Sequence, residues 1–258
     1  MLNKNIEGQN KETIIMQDKI YGRNPVIEAL KSDREIDKIF VKKGEKEGSL
    51  NSIIKKAKEK KIMVAEAEKQ KLDALSEGEN HQGVVAIAAV HSYCSVSDIL
   101  ENAKKKNHDP FIIICDKITD PHNLGSILRT ANCVGADGVI IPKHSSVGLN
   151  STVAKTSAGA VEYTPVAKVT NISRTIDDLK EKGLWIAGAE MNADSMTKTD
   201  LKGPLGLVIG NEGEGISRLV RDKCDFLVSI PMSGEINSLN ASVAAAVLMY
   251  EILRQRNS

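Results

Sequence analysis

Two polar loops near the end of the chain hold the residue types best suited to binding a small ligand. In the first loop, Gly210, Gly213 and Gly215 leave backbone N–H groups uncovered and permit positive φ, so a flat or anionic ligand can approach the main chain closely. Their spacing fits neither the G-x-G-x-x-G dinucleotide fingerprint nor the P-loop. The loop therefore predicts a ligand site outside those two classes, with a plain turn as the alternative.

The second loop, residues 231–240, crowds hydrogen-bonding groups between an apolar strand and an apolar helix. Its polar side chains belong to Ser233, Glu235, Asn237, Ser238 and Asn240. Either Ser238 or Asn240 would suffice to cap the helix that follows. The surplus of polar groups predicts a second role for this loop, in binding or in catalysis.

Short apolar runs precede both loops and predict buried strands at residues 205–209 and 226–230. Residues 111–115 form a similar run, which lacks a polar face and so predicts a parallel strand covered on both sides. A further strand is predicted at 184–187, and Ala189 and Glu190 follow it. Because ligands of open α/β sheets bind at the carboxyl edge, the loops after these strands are expected to meet there.

The two loops and an upstream helix start carry a family resemblance. Residues 209–216 and 230–243 resemble the second and third signature motifs of the SpoU (TrmH-type) branch of the SPOUT RNA methyltransferases, and residues 120–131, DPHNLGSILRTA, are similar to the first. The resemblance implies an α/β domain built on a parallel sheet. It also implies a C-terminal segment threaded into a trefoil knot that holds S-adenosylmethionine.

The resemblance assigns catalytic roles to five residues. Arg129 corresponds to the family's essential arginine, which either activates the 2′-hydroxyl or grips the neighbouring phosphate; a guanidinium is very hard to deprotonate, which favours the phosphate. Glu212 is expected to orient Arg129. Asn123, Ser238 and Asn240 match positions that shape the acceptor site, and helix capping is the alternative for the last two. Because Asn123 and Arg129 lie six residues apart at the start of one helix, they are expected to project into one cleft.

The same comparison places the cofactor against backbone rather than against side chains. The main chain at Gly210, Ile230, Met232 and Leu239 is where family members hold the adenine and ribose of S-adenosylmethionine. The loops at the same sheet edge complete the predicted cofactor-binding set with Ala189, Glu190 and Gly215. The side chains of this set chiefly determine the shape of the slot.

The preceding half of the chain predicts a smaller α/β unit. Residues 1–17 are expected to form a flexible tail, and residues 18–92 a domain that resembles the ribosomal L30e fold and binds substrate RNA. Helices are predicted at 26–31, 49–61 and 69–75, with strands at 38–41, 62–65 and 83–89. Residues 93–109 are expected to be a linker with a hinge or a linking helix, and residues 110–258 the SpoU-type methyltransferase domain.

Basic residues concentrate in the smaller unit. Between Lys42 and Lys61, eight lysines face three glutamates, a local excess of five positive charges. A solvated helix face is the usual interpretation of such a run, and phosphate contact with RNA is the functional one. The segments 21–26 and 81–84 are similar to recurrent segments of the family's RNA-binding domain. The predicted RNA contacts are Arg23, Asn24, Lys42 and Lys43, with a structural turn as the alternative for the first two.

Composition limits the other possibilities. The chain has 35 Lys and Arg against 34 Asp and Glu, and aromatic residues make up 3%, so any RNA surface is expected to be local and to stack few bases. The four cysteines lack a C-x-x-C pair, which argues against a metal site and against disulfides. No signal peptide or membrane span is expected, and a cytoplasmic location is predicted.

The resemblance is strongest to the bacterial 23S rRNA guanosine 2′-O-methyltransferases, which use S-adenosylmethionine and act as homodimers. It therefore predicts 2′-O-methylation of a guanosine in 23S rRNA by a homodimer without metal, in which one subunit's Arg129 completes the other's site. A tRNA or rRNA adenosine 2′-O-methyltransferase of the same family is the first alternative. A non-catalytic RNA-binding assembly factor is the second, and the missing dinucleotide fingerprint argues against an oxidoreductase.

Overall fold

The computed structural model of the chain describes residues 19–31, 36–44, 48–88 and 92–258. The predicted tail at 1–17 lies outside the described residues. No helix within the described ranges is both long enough and apolar enough to cross a membrane. The trefoil knot and the likeness to L30e stay implications of the family resemblance.

The N-terminal unit is a four-stranded mixed sheet with helices on both faces. Its elements are β1 (Lys19–Tyr21), α1 (Arg23–Lys31), β2 (Ile36–Lys42), α2 (Ser49–Glu59), β3 (Met63–Ala67), α3 (Lys69–Leu75) and β4 (Val84–Ala88). The strand order is β1-β4-β2-β3, in which β2 and β3 are parallel and β4 runs antiparallel to both of its neighbours.

Alternation along β2 explains how this unit buries two faces. Ile39 and Val41 pack with α1 and α2, whereas Phe40 points to the other face and packs with Leu72 of α3. All three helices and the strands predicted at 38–41, 62–65 and 83–89 are present, and the predicted bounds of α3 are confirmed.

The C-terminal unit is a six-stranded, entirely parallel sheet. Its strands are β5 (Phe111–Cys115), β6 (Gly138–Pro142), β7 (Val166–Val169), β8 (Trp185–Ser195), β9 (Leu205–Ile209) and β10 (Phe226–Ser229), in the order β10-β8-β9-β5-β6-β7. The helices are α4 (Val96–Lys105), α5 (Pro121–Cys133), α6 (Ser151–Thr156), α7 (Ile172–Glu181), α8 (Arg218–Arg221) and α9 (Ala241–Arg256).

Both faces of this sheet are covered, as the continuous apolar run of β5 predicts. Phe111, Ile113 and Cys115 pack on the face that carries α5, α6 and α9, while Ile112 and Ile114 pack on the face that carries α4, α7 and α8. The predicted bounds of β5 and β9 are confirmed. These two strands are neighbours at the centre of the sheet, which places the loops that follow them side by side.

Residues 93–109 contain a packed helix. Ser95 caps α4 with a capping box, and Ile99 of α4 is fully buried against the sheet. Cys94 forms a parallel bridge with Ala167 of β7. The segment predicted as a linker thus includes one of the helices that cover the larger sheet.

One predicted strand in the larger unit is much longer in the structure. The strand predicted at 184–187 continues to Ser195, because β10 pairs with residues 187–188 and again with 194–195, and residues 189–193 between them form a bulge. Helix α6 is capped by Asn150 and followed by a 3₁₀ turn, with positive φ at Gly159 in between.

Candidate functional site

A cavity of about 380 Å³ lies at the carboxyl ends of β8, β9 and β10. All seven residues predicted to bind the cofactor line it, namely Ala189, Glu190, Gly210, Gly215, Ile230, Met232 and Leu239. Glu212 and Ser238 from the predicted catalytic set line it too. The structure therefore brings together residues separated by about fifty positions along the chain, at the sheet edge where open α/β sheets bind ligands.

The glycine loop is a tight, self-bonded turn. The Asn211 and Gly215 backbones exchange hydrogen bonds of 3.2 and 3.0 Å, and Asn211 Oδ1 accepts the N–H groups of Gly213 and Glu214 at 2.9 and 2.6 Å. The expectation that Gly213 and Gly215 leave their N–H groups uncovered is therefore wrong, because both donate within the loop. The loop contributes a fixed wall to the cavity.

Gly210 is required by that geometry. A Cβ atom at this position would lie 2.1 Å from the carbonyl carbon of Gly215, far inside van der Waals contact. Gly215 itself adopts a φ of +66°, which glycine tolerates best. Both residues are glycines for conformational reasons that follow from the closure of the turn.

A hydrogen-bond network joins the three signature motifs beside the cavity. The side-chain amide of Asn123 donates to Glu212 Oε1 at 3.0 Å, and that of Asn240 donates to Asn123 Oδ1 at 3.0 Å and also to Glu212 Oε1. Asn123 is buried, so these bonds satisfy polar groups that water does not reach. The network holds α5, the glycine loop and the start of α9 in register.

Asn240 combines both interpretations given to it from the sequence. Its Oδ1 caps α9 by accepting the N–H groups of Ser242 and Val243 at 2.9 and 3.3 Å, while its amide enters the network. Ser238 lines the cavity without serving as the cap. The surplus of polar groups in the second loop is thus shared between helix capping and the cavity.

Arg129 lies outside this assembly. Its side chain is exposed on α5, it does not line the cavity, and among the described residues it has no hydrogen-bond or ion-pair partner. The expectation that Glu212 orients Arg129 within one chain is wrong, because Glu212 accepts from the two asparagines instead. The expected convergence of Asn123 and Arg129 is also wrong: six residues rotate a helix by about 240°, which separates a buried side chain from an exposed one.

Several cavity residues were not predicted from the sequence. They are Met191, Ile209, Asn211, Glu214, Val228, Ala241, Ala244 and Leu248. Gly213 and Asn237 also line the cavity, and both lie in the two loops for which the sequence predicts a role in binding or catalysis. Ala244 and Leu248 are four residues apart on α9, a spacing that also fits ordinary core packing, so no sequence signal separates the two uses. Met191 belongs to the bulge of β8, a segment of mixed polar and apolar residues that the sequence predicts as a loop.

The predicted RNA contacts divide into two groups. Arg23 and Lys42 line a second cavity, of about 740 Å³, on the N-terminal unit. Arg23 Nε donates to the Gln82 carbonyl at 3.0 Å, and its backbone N–H to Gln82 Oε1 at 3.1 Å, so Arg23 also holds a turn. Asn24 is exposed, and Lys43 pairs with Glu68 at 3.0 Å, a hydrogen bond that raises the pKa of the lysine.

The described residues contain no group of three or more His, Cys, Asp or Glu side chains that could hold a metal ion. All four cysteines are free thiols. Burial raises the pKa of Cys115 to about 12, and burial followed by the nearby Asp225 raises that of Cys224 to about 12. Both side chains are therefore protonated at neutral pH, a state that does not favour metal binding.

Two family models match the chain. The model described as the SpoU rRNA Methylase family matches residues 110–250, and the model described as RNA 2′-O ribose methyltransferase substrate binding matches residues 19–94. The protein YacO of Bacillus subtilis (strain 168), whose name places it among TrmH family tRNA/rRNA methyltransferases, is 48% identical over 241 residues, which are 93% of this chain and 96% of YacO. A protein of Staphylococcus haemolyticus with the same family name is 49% identical over 92% of this chain and 96% of its own length.

Solved structures share the fold. The SpoU methyltransferase AviRb of Streptomyces viridochromogenes, in complex with the cofactor AdoMet, aligns with a TM-score of 0.59 and 24% identity over 92% of this chain and 89% of that one. The AdoMet-bound rRNA methyltransferase of Sinorhizobium meliloti aligns with a TM-score of 0.58 and 23% identity over 92% and 86%. At these identities the alignments establish the fold of both units.

Proposed function

From the premise that this chain belongs to the SpoU rRNA Methylase family and is an RNA methyltransferase, we propose that it methylates the ribose 2′-hydroxyl of a guanosine in 23S rRNA, with S-adenosylmethionine as donor. The observation that carries this proposal is the cavity beside the network of Asn123, Glu212 and Asn240. In this proposal residues 18–92 hold the RNA and residues 110–258 carry out the transfer, which places the enzyme in the cytoplasm with its donor and substrate.

The cavity has the chemistry that S-adenosylmethionine requires. Ile230, Leu239 and Leu248 offer apolar walls for an adenine ring, and Glu190 offers a carboxylate for a positively charged or hydroxyl group. Its volume, about 380 Å³, falls within the usual range for small-molecule pockets. The proposed cofactor residues therefore fit this ligand.

When bound, S-adenosylmethionine supplies a methyl group on a positively charged sulfur. The protein's part is to align the ribose oxygen with that methyl group and to assist the loss of the hydroxyl proton. We assign alignment to the Asn123–Glu212–Asn240 network, whose hydrogen bonds fix the cavity wall. Arg129 is assigned to gripping an RNA phosphate beside the acceptor ribose, since its planar guanidinium suits two-point recognition of phosphate.

The position of Arg129 supports a homodimer as part of the proposal. Arg129 is exposed and does not line the cavity of its own chain, so in this proposal a second subunit is the source of an arginine for each site. The second loop and the outer face of α9 carry exposed apolar side chains. Ile236 in the loop is 78% exposed, and Val243 and Tyr250 on α9 are 47 and 53% exposed. Such a surface is typical of an interface between protein chains.

Two alternative functions are compatible with the same site. The names of the relatives include tRNA as well as rRNA, and a tRNA or adenosine 2′-O-methyltransferase would use the same cavity. A non-catalytic RNA-binding assembly factor would keep the fold but would have no reason to keep an ordered network at the cavity.

Methyl transfer from labelled S-adenosylmethionine to large-subunit rRNA of a strain lacking this gene tests the proposal. Label on the ribose of one guanosine is expected once the modified nucleotide is mapped. Label on tRNA alone would show the same methyl transfer with tRNA as the substrate. The absence of label from both RNAs would favour the non-catalytic assembly factor.

A further inference from the structure

A further cavity, also of about 380 Å³, opens between the N-terminal unit and the larger sheet, and we call it the interdomain crevice. The N-terminal unit contributes Ile36, Asp37, Lys60, Lys61, Ile62 and Met63. The larger unit contributes Tyr93, Cys94, Lys143 and Lys168. None of these residues lines the proposed cofactor cavity, so the crevice is a separate feature.

A polar contact fixes the two walls of the interdomain crevice against each other. Asp37 of β2 forms an ion pair with Lys168 of β7, and both side chains are largely buried. The hydroxyl of Tyr93 donates to Asp37 Oδ1 at 2.8 Å and accepts the backbone N–H of Leu149 at 2.8 Å. Because both contacts of Asp37 cross from one unit to the other, the chain's own side chains hold the two walls of the crevice together.

The charge of the interdomain crevice is unbalanced. Four lysines line it, and Asp37 is the one acidic residue among its described lining, with its charge offset by Lys168. Neither Lys61 nor Lys143 has an ion-pair or hydrogen-bond partner for its amine within the part of the chain that the structure describes. In a chain whose net charge is +1, this is a local concentration of positive charge that favours an anionic ligand.

Lys143 lies both in the crevice and at the edge of the larger sheet where the cofactor cavity opens. Lys143 directly follows β6 and Asp116 directly follows β5, and these strands are parallel neighbours. Both residues therefore lie at the carboxyl edge of the sheet, where the cofactor cavity also opens. Through Lys143 the crevice therefore reaches the edge of the sheet at which the cofactor cavity opens.

We propose that the interdomain crevice binds the sugar–phosphate backbone of the substrate RNA, with Lys61 and Lys143 contacting phosphates from opposite walls. The inference rests on the proposed function only in taking RNA as the substrate. Lysine provides charge and no base-specific pattern, and Tyr93, the crevice's aromatic residue, has its ring covered by Lys168 at 4.7 Å. The crevice therefore positions the RNA and leaves base recognition to other surfaces.

The test compares two double variants with the same loss of charge. K61Q/K143Q removes one lysine from each wall, while K105Q/K182Q removes two exposed lysines near the opposite, amino edge of the larger sheet. Both leave Asp37, Lys168 and Tyr93 intact, so the walls keep their contact. The dissociation constants for unmodified 23S rRNA and for unmodified tRNA are measured over a range of salt concentrations, with methyl transfer to the same RNAs.

Wild-type protein and K105Q/K182Q are expected to bind alike. K61Q/K143Q is expected to bind its RNA roughly 10- to 30-fold more weakly near 0.15 M salt, with a log–log salt slope shallower by about 1.4 to 1.8. Its KM for RNA is expected to rise by a similar factor, with kcat at saturating RNA unchanged. If K61Q/K143Q shows these changes with tRNA and not with 23S rRNA, the result would support RNA binding in the crevice and overturn the 23S rRNA assignment.

Other outcomes overturn the inference. If K61Q/K143Q matches K105Q/K182Q in affinity and salt slope while the wild type methylates 23S rRNA, the crevice does not bind RNA and the proposed function stands. If the wild type binds neither RNA, both proposals fail together.

Discussion

Gly210 occupies a point at which any larger residue meets the main chain of its own loop. A Cβ atom at Gly210 would lie 2.1 Å from the carbonyl carbon of Gly215, whereas a Cβ at Gly213 would meet only Asn211 Oδ1, at 3.8 Å. The two glycines are three residues apart and both line the cavity. They form a matched pair, because the closed turn requires glycine at Gly210 but not at Gly213.

We expect G210A to weaken binding of S-adenosylmethionine by at least about 10-fold, since overpacking of this severity usually costs about 1–3 kcal/mol and the turn must open to relieve it. G213A is expected to bind like the wild type. Isothermal titration calorimetry measures both dissociation constants, and circular dichroism checks that both variants are folded. Equal affinities for the two variants would show that the closed turn is not a wall of the cofactor site.

The residues of the site could be predicted from the sequence to different extents. All seven predicted cofactor residues lie at one cavity because backbone loops after parallel strands necessarily share an edge. The partners of Glu212 could not be predicted, since Asn123 lies 89 residues away and the choice between it and Arg129 depends on which face of α5 is buried. Short motifs give residue identity and order, and packing decides which side chains meet.

At the scale of single elements, helix α9 holds the segment between β8 and β9 in place through side-chain hydrogen bonds. Gln255 donates to the carbonyl groups of Met196 and Thr199 at 3.2 and 3.1 Å, and its own oxygen accepts the N–H of Leu201 at 2.9 Å. Glu251 orients Gln255 by accepting from it at 2.8 Å. The C-terminal helix thus both lines the cofactor cavity and holds the connection that leads into the central strand β9.

Hydrogen bonds from Arg254 and then from Gln255 lower the pKa of Glu251 to about 2. A carboxylate whose pKa is lower in the folded than in the unfolded state stabilises the fold above the unfolded pKa, near 4.5, and loses that contribution as the pH falls towards 2. We expect E251Q to lower the free energy of unfolding at pH 7 by about 1–2 kcal/mol. The difference from the wild type is expected to shrink between pH 4.5 and pH 2.

Urea denaturation at a series of pH values measures this difference. E181Q is the matched control, because Glu181 is exposed at the end of α7 and is expected to change stability by less than about 0.5 kcal/mol. An E251Q effect that stays constant from pH 7 to pH 2 would contradict the assigned role of the carboxylate.

The elements themselves show where sequence patterns succeed. The central strands β5 and β9 are continuous apolar runs between polar loops, and their bounds follow directly from the pattern. The extension of β8 to Ser195 escapes prediction because none of residues 189–195 is buried and they pair only with the short strand β10. Their strand conformation depends on a neighbour and leaves no periodic signal.

At the scale of the whole molecule, Arg129 does not line the cavity of its own chain. In the proposed homodimer, each active site therefore receives its arginine from the partner subunit. If the arginine acts across the interface, the cavity lost in the G210A chain is the one that the missing arginine of the R129A chain would have served, so both defects fall in the same site. A mixed dimer of these variants then contains one intact site, formed by the cavity of the R129A chain and the arginine of the G210A chain.

Equimolar mixing with subunit exchange is expected to restore about a quarter of the wild-type methyl transfer, since half of the dimers are mixed and each has one active site of two. Each variant alone is expected to be inactive or nearly so. Activity no greater than the mean of the separate variants would place the arginine in the same chain as its cavity. Sedimentation velocity shows whether the mixed species are dimers.

The relation between the two units could not be predicted from the sequence. Asp37 and Lys168 are 131 residues apart, and neither belongs to a recognisable motif. Their ion pair depends on how two independently predicted sheets pack together. The crevice that they hold open is therefore a property of the assembled chain.

The place of β9 in the sheet also determines when the molecule can be completed during synthesis. The strands β1 to β4 pair only among themselves and can fold early, but β5 and β8 each keep an open edge until residues 205–209 have left the ribosome. The cavity further requires residues as far along as Leu248. An enzyme proposed to modify ribosomal RNA thus gains its active site only after a ribosome has translated the chain as far as α9.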